Sequence, residues 1–280
     1  MKYRLICSDV DGTLINSDEI IPEENLSAIR RLKSEGCYFA ITSGRFLNAV
    51  RQMSEHFKIT PYKVCSNGAV VADEDGNVLQ AVAIPLDIAK QLYKVGEDNN
   101  CLMGYNTLSC AVYNRRNNME DELYKRADEL YEGYDASTGK HTIDVKYQEG
   151  YSVPFQFGDA YKISLWANDQ SSYERITEEL NNFSGISVTS AMQWNLEITA
   201  KNVTKWFGVQ SLMKLLNITK EEVVCIGDSM NDEAMVNGAG LGVCMGNGNP
   251  KLKQEADYIT DTNYNSGVAA VINKCLNNEL

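Results

Sequence analysis

Two aspartates near the start of the chain, Asp9 and Asp11, have a spacing that suits metal-assisted chemistry. They follow the apolar run of residues 5–7, which predicts a short buried strand. Side chains two residues apart in an extended segment point to the same side. Two carboxylates held that close repel each other unless a cation lies between them. The pattern therefore predicts a metal site, with one aspartate able to do chemistry beside the ion.

An ordinary polar turn also explains Asp-x-Asp-Gly, because Asp and Gly are among the commonest turn residues. The calcium loop of an EF-hand does not fit the chain. That loop needs a glycine at its sixth position and a glutamate at its twelfth, whereas counting from Asp9 places Gly12 fourth and Ile20 twelfth. Taken alone, the motif leaves turn and metal site equally open.

A second pair of acids, Asp228 and Asp232, follows the apolar run of residues 222–227. If a helix starts there, the spacing of four residues puts both carboxylates on one face. Holding them together without a cation would again be costly. Ser43 follows the apolar run of residues 37–42, where its hydroxyl can cap a helix, bind a phosphate at the helix N-terminus, or do both.

Lys205 lies at the start of another predicted helix. A lone lysine on a helix is usually a solvated charge, and Lys201 and Lys214 fit that description. Its place in the chain is nevertheless comparable to the places of Asp9, Ser43 and Asp228.

Strand and helix patterns alternate in the first and last thirds of the chain. Strands are predicted at residues 5–7, 37–42, 63–65, 69–72, 78–81, 222–227, 240–245 and 258–260, and helices at 22–35, 46–56, 204–216, 232–236 and 266–276. This alternation predicts an α/β fold with a doubly wound, mostly parallel, Rossmann-like sheet. In such sheets ligands bind beyond the carboxyl ends of the strands, and Asp9, Ser43 and Asn67 all follow predicted strands there.

The middle of the chain has a different pattern of predicted strands and helices. Short strands are predicted at residues 101–105, 110–113, 162–166 and 186–189, and charged helices at 119–131 and 171–183. We interpret residues 84–192 as an inserted α+β domain. The core is then discontinuous and consists of residues 1–83 and 193–280.

Composition excludes several classes of protein. The 280 residues carry a formal net charge of −12, which disfavours nucleic acids and anionic membrane surfaces as partners and favours solubility. Eight scattered cysteines without a Cys-x-x-Cys pair fit buried thiols in a reducing cytoplasm, and the distant His56 and His141 disfavour a zinc site. No signal peptide and no apolar stretch of roughly 20 residues is apparent. We expect a cytoplasmic monomer or weak homo-oligomer.

Together the motifs are far more specific than any one of them. The chain resembles the haloacid dehalogenase (HAD) superfamily, and within it the Cof-type phosphatases with a class IIB cap, over essentially its whole length. The resemblance rests on Asp-Val-Asp-Gly-Thr-Leu at 9–14, Ser43-Gly44-Arg45, Lys205, Gly227-Asp228-x-x-Asn231-Asp232 and Ser66-Asn67-Gly68-Ala69. Two positions depart from the family pattern: Ser43, where threonine is commoner, and Trp206, where a small residue is usual.

The resemblance implies a Mg²⁺-dependent phosphatase that hydrolyses small phosphomonoesters, such as sugar phosphates, through an aspartyl-phosphate. Asp9 would be the nucleophile, Asp11 the general acid and then base, and Ser43 and Lys205 the groups that bind phosphoryl oxygens. The Asp9 and Asp228 side chains and the Asp11 carbonyl would hold Mg²⁺, while Asp232 would hold a metal-bound water or orient Lys205. Gly44, Arg45, Asn67 and Asn231 are candidate substrate contacts.

In this interpretation the inserted domain is a cap that closes over the site. Its candidate contacts are Tyr105, Tyr161, Lys162 and Trp166, although a tryptophan on a strand more often belongs to the core. Two other functions stay open. A phosphomutase would return the phosphoryl group to its substrate, and a non-catalytic phosphometabolite sensor would usually have lost the nucleophile or the acid.

Overall fold

Apolar runs from both ends of the chain pair into one eight-stranded sheet. The computed structural model describes residues 2–115, 134–135, 140–141, 145–149 and 157–280. The strands are β1 (Leu5–Asp9), β2 (Tyr38–Thr42), β3 (Tyr62–Cys65), β4 (Val70–Ala72), β5 (Val78–Ala81), β6 (Leu102–Asn106), β7 (Ala111–Arg115), β8 (Tyr134–Asp135), β9 (Lys140–His141), β10 (Val145–Glu149), β11 (Lys162–Trp166), β12 (Ile186–Thr189), β13 (Asn195–Ala200), β14 (Val223–Gly227), β15 (Leu241–Cys244) and β16 (Tyr258–Ile259). The α-helices are α1 (Glu23–Ser34), α2 (Leu47–His56), α3 (Leu86–Asp98), α4 (Gln170–Leu180), α5 (Lys205–Leu216), α6 (Glu233–Gly238), α7 (Pro250–Glu255) and α8 (Gly267–Leu276).

The first sheet has the strand order β16-β15-β14-β1-β2-β3-β4-β5. The strands from β16 to β3 are mutually parallel, and β4 and β5 add an antiparallel hairpin at one edge. The predicted doubly wound, mostly parallel sheet is therefore confirmed. Its strand order reverses at β1, so the carboxyl ends of β1 and β14 border the crevice where such sheets bind ligands.

Burial on both faces explains why the strands of this sheet read as continuous apolar runs. In β1, Leu5 and Cys7 pack into the cluster that contains Leu212 of α5. Ile6, which points to the opposite face, packs into the cluster that contains Ile272 of α8. The sheet is thus covered by helices on both sides, and polar side chains are displaced to the strand ends.

Thr204 fixes the start of α5, the helix that carries Lys205. Its side chain accepts a hydrogen bond from the backbone N–H of Phe207, which satisfies one of the donors left unpaired at a helix start. Trp206 leaves this start intact and lies against Gly238 instead, where an added Cβ would come within 2.4 Å of the indole.

A second, six-stranded sheet has the order β10-β7-β6-β11-β13-β12. Strand β13 pairs with β11 and β12 in antiparallel fashion, so the boundary predicted between residues 192 and 193 cuts through this sheet. The sheet extends to Ala200, because Leu196 and Ile198 of β13 belong to its apolar cluster. The division of the chain into a core and an inserted domain stays a prediction.

Two helices, α3 and α7, were not predicted from the sequence. Each begins beside a proline, since Pro85 precedes α3 and Pro250 opens α7. The predicted helix at residues 119–131 lies outside the described residues. Within the described ranges, no helix has the length and apolar character needed to cross a membrane, and all eight cysteines are buried.

Gly68 allows helix α5 to approach the first sheet closely, and its replacement tests that approach. Its φ is +94°, and a Cβ there would lie 1.9 Å from the carbonyl oxygen of Thr204. We expect Gly68→Ala to lower the free energy of unfolding, measured in urea, by about 3 kcal/mol or more, because strain and clash add.

Gly36→Ala is the matched control for this substitution. Gly36 also has a positive φ, +78°, but its added Cβ would meet no described atom within 4 Å. Gly36→Ala should therefore lower the free energy of unfolding only through backbone strain, by about 1–2 kcal/mol. Equal losses for the two variants would contradict the close approach.

Candidate active site

Three aspartates meet where β1 and β14 end. Asp9 is the last residue of β1, Asp228 directly follows β14, and Asp232 ends the short 3₁₀ helix Met230–Asp232. One carboxylate oxygen of each lies within 4.8 Å of the others. The structure thus brings together three of the four aspartates that were predicted to bind metal.

Lys205 is the buried counter-charge of this cluster. Its Nζ lies 2.7 Å from Asp9 Oδ1 and 2.6 Å from Asp232 Oδ1, and its side chain is only 1% exposed. The alternative of a solvated lysine is therefore wrong. Burial alone would lower the pKa of Lys205, but the two aspartates outweigh it and raise the pKa above its usual value.

Backbone and hydroxyl groups orient the other two carboxylates. Asp232 Oδ2 accepts the N–H groups of Asp228 at 2.9 Å and Ser229 at 3.1 Å. The Thr13 hydroxyl donates to Asp228 Oδ1 at 2.8 Å. The helix expected to begin at Asp232 begins at Glu233 instead, so a tight turn rather than a helix face sets the positions of the two acids.

The crowding of these acids disfavours their simultaneous ionisation. Burial, with the charge of Asp232 next, raises the pKa of Asp9 well above its usual value despite the opposing charge of Lys205. The same two causes raise the pKa of Asp228 to about 6. Three close carboxylates with one ammonium suit a hard divalent cation, which would relieve the repulsion between them.

Asp11 lies outside the cluster and is held by Arg45. Its two carboxylate oxygens accept from Arg45 Nη2 at 2.6 Å and Nε at 3.0 Å, and its side chain is 58% exposed. Desolvation would raise the pKa of Asp11, but the charge and hydrogen bonds of Arg45 lower it overall. Arg45, a predicted substrate contact, is thus occupied by the predicted acid–base residue.

Ser43 follows β2, as predicted, and is buried. Its hydroxyl oxygen accepts from the backbone N–H of Arg45 at 3.1 Å. The helix-capping role considered for Ser43 is wrong, because α2 begins at Leu47 with Phe46 at the capping position. The hydroxyl is therefore part of the loop after the strand and not of the helix start.

The second sheet contributes a buried ion pair to the same site. Lys162 Nζ lies 2.5 Å from Glu197 Oε1, with side-chain exposures of 1% and 8%. Glu197 Oε2 accepts from the amides of Asn67 at 2.9 Å and Asn231 at 3.4 Å. Burial would raise the pKa of Glu197, but the charge and hydrogen bond of Lys162, with the hydrogen bond from Asn67, lower it. Glu197 thus connects the second sheet to two predicted substrate-contact residues.

A cavity of about 350 Å³ lies between the two sheets. Its lining includes Asp9, Asp11, Gly44, Arg45, Asp228 and Asn231 on one side and Lys162, Trp166, Met192, Asn195 and Glu197 on the other. The backbone oxygen of Gly44 is fixed by the Asn106 amide at 2.9 Å. The predicted nucleophile, the acid–base residue and three of the four candidate substrate contacts therefore share one cavity, whereas Asn67 is not part of its lining.

The sequence motifs missed Glu197 and Asn195, and they included Thr13 without assigning it a role. Lys162 was only a candidate cap contact. The available signal was weak: each of Lys162 and Glu197 is a charged residue inside an otherwise apolar run, which indicates a buried pair only once the strands are known to be neighbours.

Comparison with known proteins decides the family. Residues 6–272 match the family model described as haloacid dehalogenase-like hydrolase. The chain belongs to this family. The family predicted from the sequence motifs is thus confirmed, and the protein is a hydrolase.

Relatives and solved structures of the HAD family cover nearly the whole chain. The 5-amino-6-(5-phospho-D-ribitylamino)uracil phosphatase YcsE of Bacillus subtilis is 28% identical, over 97% of this chain and 95% of its own length. Phosphatase YwpJ of the same organism is 29% identical, over 98% of this chain and 100% of its own length. A haloacid dehalogenase-like hydrolase from B. subtilis has a TM-score of 0.85 at 26% identity, over 96% of this chain and 99% of its own. A HAD subclass IIB sugar phosphatase shares the fold, with a TM-score of 0.80 at 19% identity, over 97% of this chain and 98% of its own.

The Lys162–Glu197 pair should be strongly coupled because it is buried. Lys162→Met leaves the Glu197 carboxylate buried without its cation, and we expect it to lower the free energy of unfolding by about 3 kcal/mol. Glu197→Gln in the Lys162→Met background should recover part of that loss, with a coupling energy of about 1–3 kcal/mol in a double-mutant cycle.

Lys94→Met provides the control for this cycle. Lys94 pairs with Asp98 at 2.5 Å on the exposed face of α3, where solvent screens the interaction. Its loss should leave the unfolding transition nearly unchanged. Additive effects of the two substitutions in the Lys162–Glu197 cycle would show that the pair contributes no coupling.

Proposed function

We propose that this HAD hydrolase releases phosphate from small phosphomonoesters, such as sugar phosphates, in a Mg²⁺-dependent reaction through an aspartyl-phosphate on Asp9. The observation that carries the proposal is the Asp9 carboxylate itself. It lines the cavity, lies 2.7 Å from a buried ammonium and has two further carboxylates within 4.8 Å. That the related YcsE and YwpJ are named phosphatases supports it.

Asp9 acts as the nucleophile in the first step. One of its carboxylate oxygens attacks the phosphorus, the bond from phosphorus to the leaving oxygen breaks, and that oxygen takes a proton from Asp11. In the second step water attacks the phosphorus of the aspartyl-phosphate, its proton passes to Asp11, and the bond to Asp9 breaks. Inorganic phosphate is released and both aspartates return to their starting states.

Lys205 keeps the nucleophile in its reactive form. Its charge opposes the burial that raises the pKa of Asp9, so it favours the carboxylate over the unreactive acid. With Ser43 it also balances charge on the phosphoryl oxygens. Asp232 holds Lys205 in place through the contact between Nζ and Oδ1.

Asp11 has to leave Arg45 to donate a proton. While both of its oxygens accept from the guanidinium, its pKa is lowered and the carboxylate form is favoured. A bound phosphoryl group offers Arg45 an alternative anionic partner. The released Asp11 loses the charge that lowered its pKa, takes up a proton from solvent, and turns toward the leaving oxygen as the acid. Substrate binding and activation of the acid are coupled in this way.

The Asp9 and Asp228 carboxylates and the Asp11 carbonyl would hold Mg²⁺, which prefers hard oxygen ligands and retains several waters. Bound there, the ion would screen the negative charge of the substrate, which otherwise repels the attacking carboxylate. The Thr13 hydroxyl and the backbone N–H groups around Asp232 hold the carboxylates in place for it.

Asp9→Asn tests the nucleophile. An amide cannot form the acyl phosphate, so we expect phosphate release from phenyl phosphate and from sugar phosphates to fall by about three orders of magnitude or more. The assay measures inorganic phosphate with no bisphosphate activator present, which separates hydrolysis from a mutase reaction.

The same substitution at the exposed Asp87 of α3 is the control and should leave turnover as it was. Substantial turnover by Asp9→Asn, with a rate near that of the Asp87 variant, would rule out Asp9 as the nucleophile.

Removal of the metal tests the cation requirement. Treatment with EDTA followed by gel filtration should abolish phosphate release, and added Mg²⁺ should restore it. Asp228→Asn should raise the Mg²⁺ concentration needed for half-maximal activity by about tenfold or more, because it removes a charged ligand. Full activity in the EDTA-treated protein would point to a metal-independent reaction.

A further inference from the structure

One face of the second sheet forms the wall of the cavity that lies opposite the aspartates. Asn195 of β13 is paired in register with Trp166 of β11, and Glu197 with Ser164. Paired residues and residues two apart in a strand share one face of a sheet. Asn195, Glu197, Trp166 and Lys162 are therefore on the same face, and all four line the cavity.

The residues between them point the other way. Ile163, Leu165, Leu196 and Ile198 alternate with the cavity-lining residues along β11 and β13 and belong to the apolar cluster of the second sheet. This alternation fixes the direction of the polar side chains, because a shift by one residue would place the charged pair in the apolar cluster.

The Asn195 amide is the unusual group on this wall. Asn195 is 2% exposed, and its Nδ2 has no hydrogen-bond partner among the residues that the structure describes. Leaving a buried amide donor unpaired is unfavourable, and such groups nearly always have a partner in proteins. Because Asn195 lines the cavity, a molecule bound there can supply this partner.

The neighbours of Asn195 indicate the chemistry of that partner. Asn195 and Lys162 offer hydrogen-bond donors, Glu197 offers acceptor oxygens, and Trp166 offers an apolar ring. A hydroxyl group accepts and donates at once, so neighbouring hydroxyls of one molecule can satisfy both kinds of group. An apolar leaving group would leave the buried amide unpaired, which is the basis of strong discrimination in polar sites.

We propose that Asn195 is a specificity-determining residue whose amide donates a hydrogen bond to a hydroxyl oxygen of the leaving group, so that the enzyme prefers sugar and sugar-alcohol phosphates to unhydroxylated phosphomonoesters. This inference rests on the proposed phosphatase function. It adds a substrate-recognition role for a residue of the second sheet, outside the four motifs that carry the chemistry.

The test compares two substrates in each variant. Phosphate release is measured from the best of a panel of sugar and sugar-alcohol phosphates and from phenyl phosphate, whose leaving group bears no further hydroxyl. Asn195→Ala should lower kcat/KM for the hydroxylated substrate about tenfold more than for phenyl phosphate, chiefly through KM. Asn195→Leu, which keeps about the same size but removes the amide, should shift the same ratio in the same direction.

Gln80→Ala is the matched control. Gln80 Nε2, on the edge strand β5, is likewise a buried amide nitrogen without a partner in the described part of the chain, but it does not line the cavity. Gln80→Ala should leave kcat/KM unchanged for both substrates. The melting temperature of the unliganded Asn195→Ala variant should stay close to that of the parent, because the amide nitrogen donates no hydrogen bond to a described residue that could be lost.

Binding separates this inference from the proposed function. Titration calorimetry measures the affinity for the sugar-alcohol phosphate and for phenyl phosphate in the Asp9→Asn variant, with and without Asn195→Ala. Asn195→Ala should lower the affinity for the hydroxylated ligand and leave the affinity for phenyl phosphate nearly unchanged. If no variant or parent releases phosphate yet this selective loss is seen, the phosphatase proposal fails and the role of Asn195 stands. Equal changes in affinity for both ligands, or no change in either the kinetic or the binding assay, would overturn the proposed role of Asn195.

Discussion

Repulsion between carboxylates at the ends of β1 and β14 is the constraint on which the site depends. Asp9, Asp228 and Asp232 lie within a few ångströms of one another, and burial removes the water that would otherwise screen them. One buried ammonium, from Lys205, contacts two of the three. The remaining imbalance of charge favours a cation, so the same repulsion that destabilises the cluster makes it suitable for holding one.

Placing that ammonium requires the backbone to approach very closely. Helix α5 begins at Lys205, and its first turn packs on the loop after β3, where a side chain at Gly68 would overlap the Thr204 carbonyl and one at Gly208 would lie 2.9 Å from the Gly68 Cα. The two glycines and the Thr204 cap together hold the lysine stem against the sheet. The electrostatics of Asp9 thus depend on packing between two segments far apart in the sequence.

The sequence predicted the groups that follow strands and missed those that depend on pairing between strands. Asp9, Asp228 and Lys205 sit at element ends that local periodicity indicates well. Glu197 does not, because its role depends on the register that places β13 beside β11 in the second sheet. Nothing in the pattern around residues 193–200 distinguishes a strand of the first sheet from one of the second.

The two walls of the cavity meet different physical demands. The first sheet must hold several like charges in fixed positions, so every carboxylate there has a buried or backbone partner, and a change at one disturbs the others. The wall from the second sheet carries one ion pair, an amide and an indole on regular strands whose opposite face is apolar. The uncharged Asn195 and Trp166 of this wall can be exchanged without changing the charges around Asp9, whereas Lys162 and Glu197 cannot. Selectivity for the leaving group can therefore change while the phosphate chemistry is retained, and a change at Asn195 breaks no hydrogen bond from its amide nitrogen to a described residue.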